Sequence, residues 1–271
     1  MKFLLRLLPA SFIRAVGRLQ FKYPFLGRII NKVGQGLAGE GIIQRGAGKG
    51  LYFDARGCNP GYLAGTTEPL EQEMLLRYAL PGGVVYDLGA NAGYYAVIAA
   101  RAVGADGQVF AFEPTPKLAE RIRTNASRNN LTNLEVVEAA VSDADGEINF
   151  GIVGELSVSN SIRAAEDSGG LCVKAVRLDT FSVDKKLPTL MLIDIEGAEI
   201  AALEGVLDTI RKSRPVIMVE VHWLGAAFPE FVETALKPLG YSAATFDGDP
   251  LPTGNDRYHA LLLPSGPPAP Q

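Results

Sequence analysis

From residue 84 to residue 222 short apolar runs alternate with longer amphipathic stretches, and that alternation restricts the fold more than any other feature of the chain. Val84–Leu88, Gln108–Glu113, Leu134–Glu138, Thr189–Asp194 and Val216–His222 read as strands; Gly93–Val103, Pro116–Asn129 and Glu199–Lys212 read as helices between them. Strands apolar on both faces and joined by helices form a parallel sheet covered on both sides, so the fold class is α/β and doubly wound. Upstream, a short strand near 50–54 precedes a helix over Glu68–Leu80 with Leu70, Met74, Leu75 and Tyr78 inward, closed by Pro81-Gly82-Gly83. The rhythm breaks at residues 143–152 and 172–179, which read as extra strands flanking a long polar loop. It ends with a helix over Pro229–Lys237 and strands over Tyr241–Phe246 and Tyr258–Leu263.

In open parallel sheets ligands bind beyond the carboxyl ends of the strands. The first strand runs into VVYDLGANAGYYAV at 84–97, where Gly89, Ala90, Asn91 and Gly93 make a sharp turn into a helix. Glycines let the backbone approach a ligand, and a helix N-terminus offers free N–H groups. A dinucleotide site would carry G-x-G-x-x-G for its pyrophosphate, and this loop does not. Asp87 beside the loop would repel a pyrophosphate but suits a ligand with its own cation. The second strand ends at Glu113, followed by Pro114; an acid there can accept hydrogen bonds from a ribose diol. Asp143, after the third strand, could accept from an exocyclic adenine amine. A nucleoside with a cationic amino-acid head and no phosphate is S-adenosylmethionine. On the residues alone two other readings stay open. One is an NAD(P)-dependent oxidoreductase on a similar sheet, against which the glycine pattern counts; the other is a non-catalytic module that binds the cofactor or a protein partner through the same cleft.

The chain has 271 residues and a net charge of −4, unevenly placed. Residues 1–39 hold seven Lys/Arg and no Asp or Glu, which leaves nineteen basic against thirty acidic residues elsewhere. The acidic body argues against a nucleic-acid partner. In the arm, Phe12, Val16, Leu19 and Tyr23 share one helix face, and Arg14, Arg18 and Lys22 the other. Such a basic amphipathic helix could lie on an anionic membrane surface through residues 1–32, or dock its apolar face on the protein's own core. MKFLLRLLPASF is interrupted by Arg6 and falls short of a signal-peptide core, and no run approaches a membrane span. Cys58 and Cys172 form neither a disulfide framework nor a metal-ligand spacing and read as reduced thiols of a cytoplasmic protein; with two histidines, zinc is not expected. Residues 264–271, with four prolines, read as a disordered tail.

The chain resembles Rossmann-like S-adenosylmethionine-dependent methyltransferases, more narrowly those of the FkbM type. The resemblance is carried by VVYDLGANAGYYA at 84–96, FEPTP at 112–116, VSDADGE at 141–147, LMLIDIEGAE at 190–199 and VEVH at 219–222, with GTTEPLE at 65–71 ahead of them. It covers roughly residues 50–263 and leaves out the basic arm, so the resemblance implies a methyltransferase domain over 40–263 after a helical extension over 1–39. It implies a seven-stranded sheet whose last strand is antiparallel, and methyl transfer mostly to oxygen. It also implies that Asp87, Gly89, Asn91 and Gly93 hold the methionine part and Glu113 the ribose, with Asp143 near adenine. The implied acceptor is a hydroxyl on a sugar, glycan or natural product.

Methyl transfer to a hydroxyl needs alignment, exclusion of water and an exit for the proton. Asp194 and Glu196 end the fourth strand, and Glu220 and His222 end the fifth; period two puts Glu220 and His222 on one side. Adjacent strand ends bring both pairs over one crevice. His222, with an ordinary pKa near ~6.5, is the natural base. Asp194 could orient it, face the methyl group, or help hold a divalent ion. Together Asp194, Glu196, Glu220 and His222 could bind Mg²⁺ through oxygens, but no ligand spacing compels a metal site and none is assigned. Glu196 and Glu199 are also explained by the helix dipole, and His259 within a late strand reads as structural. Trp223, Tyr94 and Tyr95 could wall the site or simply pack. The loop from Gly151 to Gly170, with 55–67, is the candidate lid.

Overall fold

The computed structural model describes residues 39–59, 61–151 and 171–266; the arm over 1–38, residues 152–170 of the candidate lid and residues 267–271 of the tail lie outside them. The chain divides into two compact units, Met1–Pro69 and Leu70–Gln271, with residues 40–69 in the first. In the first unit β1 (Glu40–Ile42) and β2 (Tyr52–Asp54) pair antiparallel, and α1 (Gly61–Ala64) follows. The Tyr52 hydroxyl donates to Glu40 at 2.6 Å, and the buried Phe53 ring meets Tyr62 edge-on with centroids 5.6 Å apart.

α2 (Pro69–Tyr78), all of which but Pro69 belongs to the second unit, leads into β3 (Val84–Leu88), α3 (Tyr94–Val103), β4 (Gln108–Phe112), α4 (Pro116–Arg128) and β5 (Leu134–Val137). The chain then makes β6 (Ala140–Ser142), β7 (Gly146–Phe150), β8 (Leu171–Arg177) and α5 (Leu178–Phe181). β9 (Leu190–Ile193), α6 (Glu199–Glu204), α7 (Leu207–Ser213), β10 (Val216–His222), α8 (Ala227–Phe231), β11 (Tyr241–Thr245) and β12 (Arg257–Pro264) complete it. The main sheet has seven strands in the order β5-β4-β3-β9-β10-β12-β11. Strands β5 to β10 run parallel and β12 antiparallel to both its neighbours, as the resemblance implied. The chain winds outward from β3 to β5 and returns on the other side of β3 as β9. The switch point therefore lies between β3 and β9, where Asp87 and Asp194 stand.

All five residues of β3 are buried. Tyr86 meets Phe110, Phe112 and Phe181 with ring centroids 5.3–5.8 Å apart, and its hydroxyl donates to the Lys186 carbonyl at 2.9 Å, so the one polar atom of this aromatic cluster is satisfied. The Thr189 hydroxyl accepts from the Val84 N–H and donates to the Val84 carbonyl, both at 3.0 Å, which fixes where β9 starts against β3.

The two extra strands expected after residue 142 are present as β7 and β8, in a separate three-stranded sheet of order β6-β8-β7. Two expectations are corrected. The helix expected over Glu199–Lys212 is two helices. A Cβ at Gly205 would lie 2.2 Å from the Ser142 carbonyl oxygen, so the small sheet presses into the break, and the Asp179 carboxylate accepts from Thr209 N–H at 2.8 Å to cap α7 from outside. In α2 Leu75 and Gln72 are buried while Leu70 is 37% exposed. At about 100° per residue Gln72 lies nearer to Leu75 around the helix than Leu70 does. Cys58 and Cys172 are free thiols, and no helix among the described residues is long and apolar enough to cross a membrane.

Candidate active site

Backbone contacts hold the loop after β3 on both sides. Gly89 and Ala90 N–H both donate to the Phe112 carbonyl at 3.0 Å, and Asp194 N–H donates to the Leu88 carbonyl at 3.0 Å. Gly89 has φ +85°, and a Cβ there would lie 1.9 Å from the Asp194 carbonyl oxygen, so a side chain has neither the conformation nor the room. Gly93, at φ +84°, opens α3 with Ile122 of α4 3.0 Å from where its Cβ would be. The buried Asn125 pins the loop by donating to the Ala92 carbonyl at 3.0 Å.

Glu113 is buried at the end of β4. Its Oε2 accepts from Asn91 N–H at 3.0 Å and its Oε1 from Thr115 N–H at 2.8 Å, so it shapes the loop while keeping further lone pairs for a diol. Burial pushes its pKa up to about 7 despite those bonds. Asp87 is also pushed up to about 7, by burial and by the Glu113 charge. Asp87 Oδ2 and Asn91 Oδ1 are buried without a hydrogen-bond partner. Such orphaned acceptors are costly, and a ligand with an ammonium group would satisfy them. Together with the Gly89 cradle, they fit the amino-acid end of S-adenosylmethionine. The structure thus brings together Asp87, Gly89, Ala90, Asn91, Gly93, Glu113 and the buried Pro114. Asp143 is exposed just after β6, accepts from the Ser142 hydroxyl at 3.0 Å, and lies beside Gly205 beyond the far end of α6. β5 stops at Val137, whose carbonyl accepts from Glu113 N–H at 3.0 Å, so the residues beside Glu113 are Glu138 and Ala139.

The second cluster gathers at the ends of β9 and β10. Glu196 (φ +53°) and Gly197 (φ +102°) make the turn that leads from Asp194 to Glu199, the buried first residue of α6. His222 is fully buried, with Nδ1 2.8 Å from Glu199 Oε1. Its Nε2 lies 3.7 Å from a carboxylate oxygen of each of Asp194, Glu196 and Glu220. All four expected catalytic residues therefore meet around one nitrogen. Burial alone would lower the His222 pKa, but the bond to Glu199 and the charges of Glu196 and Glu220 outweigh it and raise it. Burial foremost raises Glu196. Burial also pushes Glu220 up, but His259 and Arg257 outweigh it and hold Glu220 below the usual carboxylate range.

Four further neighbours join this cluster: Glu71 and Arg257, given no role from sequence, Glu199, read there as answering the helix dipole, and His259, read there as structural. The antiparallel register sets Arg257 opposite His222 and His259 opposite Glu220. Arg257 Nε forms an ion pair with Glu220 Oε1 at 2.7 Å, while His259 pairs with Glu71 of α2, which also accepts from the Tyr95 hydroxyl at 2.9 Å. Burial would lower His259, but Glu220 and Glu71 push it up to about 10, which keeps it charged at neutral pH. The one sequence signal for this arrangement is the alternation of RYHAL against VEVH, and it becomes legible only once the register is known.

A seven-stranded sheet with an antiparallel last strand, a glycine loop at its switch point and acids at the ends of β3 and β4 defines a Rossmann-like methyltransferase fold. The chain belongs to the methyltransferase FkbM domain family, whose sequence model matches residues 87–243. It is similar to the hexuronic acid methyltransferase AglP of Haloferax volcanii, with 29% identity over 153 residues, covering 55% of this chain and 60% of that protein. It is similar also to the 2-O-methyltransferase NoeI of Sinorhizobium fredii, with 31% identity over 152 residues, covering 49% of this chain and 61% of that protein. The chain thus spans about three fifths of the length of each. A crystal structure of methyltransferase FkbM from Methylobacillus flagellatus is similar at a TM-score of 0.45 and 14% identity, covering 66% of this chain and 43% of that one.

Proposed function

We propose that the chain is an S-adenosylmethionine-dependent O-methyltransferase whose acceptor is a hydroxyl on a sugar, glycan or natural product. The observation that carries this is the pair of buried, unpartnered acceptors, Asp87 Oδ2 and Asn91 Oδ1, beside a glycine cradle that touches the start of the carboxylate–histidine cluster. When bound, S-adenosylmethionine supplies a sulfonium methyl group: an acceptor oxygen bonds to that carbon as the carbon–sulfur bond breaks, the electron pair stays on sulfur, and the hydroxyl proton leaves. Asp87 and Asn91 would hold the ammonium end and Glu113 the ribose. Asp194, Glu196, Glu220 and His222 face the acceptor side, orient the hydroxyl and receive its proton or steer it out. Likeness to a hexuronic acid methyltransferase, AglP, and to a 2-O-methyltransferase, NoeI, supports an oxygen acceptor and a sugar-acid class of substrate. Residues 1–32 are proposed as a peripheral contact with an anionic membrane surface.

Calorimetry with S-adenosylhomocysteine and with NAD, followed by transfer of a labelled methyl group into hydroxylated acceptors including hexuronic acids, tests this reading. The expected result is binding of S-adenosylhomocysteine alone and mass-identified O-methyl product. Binding of NAD alone would overturn it in favour of an oxidoreductase. Cofactor binding without transfer to any hydroxyl would leave a non-catalytic binding module.

A further inference from the structure

We propose that His222, Glu220 and Asp194 form a binding site for one divalent first-row transition-metal cation. The proposal deepens the methyltransferase reading, and its catalytic meaning rests on it, but the geometry stands by itself. His222 Nδ1 lies 2.8 Å from Glu199 Oε1. A carboxylate only accepts, so Nδ1 carries a proton and Nε2 is the nitrogen left for either a second proton or a metal ion. Glu199 Oε1 is itself fixed by the Gly197 N–H at 3.0 Å. A carboxylate that fixes the tautomer from behind is how metal-binding histidines are held.

Nε2 is buried, makes no hydrogen bond and faces three carboxylate oxygens, each 3.7 Å away. A proton on Nε2 would draw one oxygen in to about 2.8 Å. A bare lone pair among three anions is unfavourable away from water. Equal separations too long for a hydrogen bond are what ligands of one ion show, since bonds of about 2.0–2.2 Å set neighbouring donor atoms roughly 3–3.7 Å apart. The donor atoms of Asp194, Glu220 and His222 all lie within 4.8 Å of one another. Glu71, Glu220 and His259 form a second such triad. There, however, His259 Nε2 already pairs directly with Glu71, so a proton fills the gap. Arg257 holds Glu220 Oε1 from outside, and that oxygen keeps a second lone pair for the ion. An imidazole among the oxygens favours iron or zinc over magnesium or calcium, and the carboxylates also suit manganese. With its side chain 53% exposed, Asp194 leaves one side of the site open, where a cation would polarise an acceptor oxygen. On this reading His222 is a ligand and not the base.

The test uses the full chain stripped with a chelator. Mn²⁺ binding is followed by electron paramagnetic resonance and Zn²⁺ binding by competition with a chromophoric chelator, with S-adenosylhomocysteine calorimetry in parallel. One equivalent of either metal is expected, weakened at least about ten-fold in Asp194→Asn and in Glu220→Gln. Asp194 is exposed, so Asp194→Asn stays informative if Glu220→Gln misfolds. Retention of neither metal by the wild type overturns the proposal, as does wild-type affinity in the Asp194 variant. S-adenosylhomocysteine binding without metal removes the ion and leaves the methyltransferase; metal binding without S-adenosylhomocysteine does the reverse.

Discussion

Gly89 is where the cofactor loop and the acceptor strand come closest, and one methyl group decides whether both fit. Gly89→Ala is expected to cost about 2–4 kcal/mol in thermal unfolding, from a disallowed φ and a backbone clash together, and to weaken S-adenosylhomocysteine binding by calorimetry. Asp87 and Glu113 set the pH behaviour. Their pKa values rise from the ordinary 3.8 and 4.5 to about 7 in the fold, so between those limits the folded chain binds protons that the unfolded chain does not. Stability of the cofactor-free protein from this source is complete below the ordinary values and is lost as pH rises toward about 7. A melting series from about pH 5 to about pH 8 should show that fall, and Asp87→Asn should flatten it. S-adenosylhomocysteine affinity should rise across the same window as Asp87 ionises; a flat profile would remove Asp87 from the ammonium site. Asp87, Gly89, Gly93 and Glu113 were legible in sequence because their spacing follows the strand ends. The double duty of Glu113 was not, because it is made of bonds to backbone N–H groups that no side-chain pattern reports.

At the scale of elements, β10 and α6 together fix the histidine. His222→Ala is expected to lower turnover by about 100-fold or more while leaving S-adenosylhomocysteine affinity unchanged. Wild-type turnover in that variant would make His222 structural. Strand positions were legible to within a residue or two because five apolar runs admit little else; Val216–His222 is reproduced as read. The break between α6 and α7 was not legible, since the capping Asp179 is distant in sequence and the Ser142 carbonyl belongs to another sheet. Gly205→Ala should therefore destabilise by about 1–3 kcal/mol although helix propensity alone favours alanine.

Across the whole molecule, charge separates a basic arm from an acidic body, and part of the acid surrounds a site suited to a cationic ligand. Deleting residues 1–32 is expected to reduce co-sedimentation with anionic vesicles and to leave S-adenosylhomocysteine affinity unchanged, because the arm precedes the residues that match the family. Unchanged co-sedimentation would assign the arm to docking on the protein itself. The antiparallel β12 carries a further meaning. It supplies Arg257 and His259, two of the charges that surround Glu220, from a strand that follows β10 by more than thirty residues. During synthesis the glycine loop is translated long before them. A chain cut between β10 and β12 would thus hold every residue of the cofactor loop while Glu220 lacked its counter-charges, so the two sides of the cleft depend on different stretches of sequence.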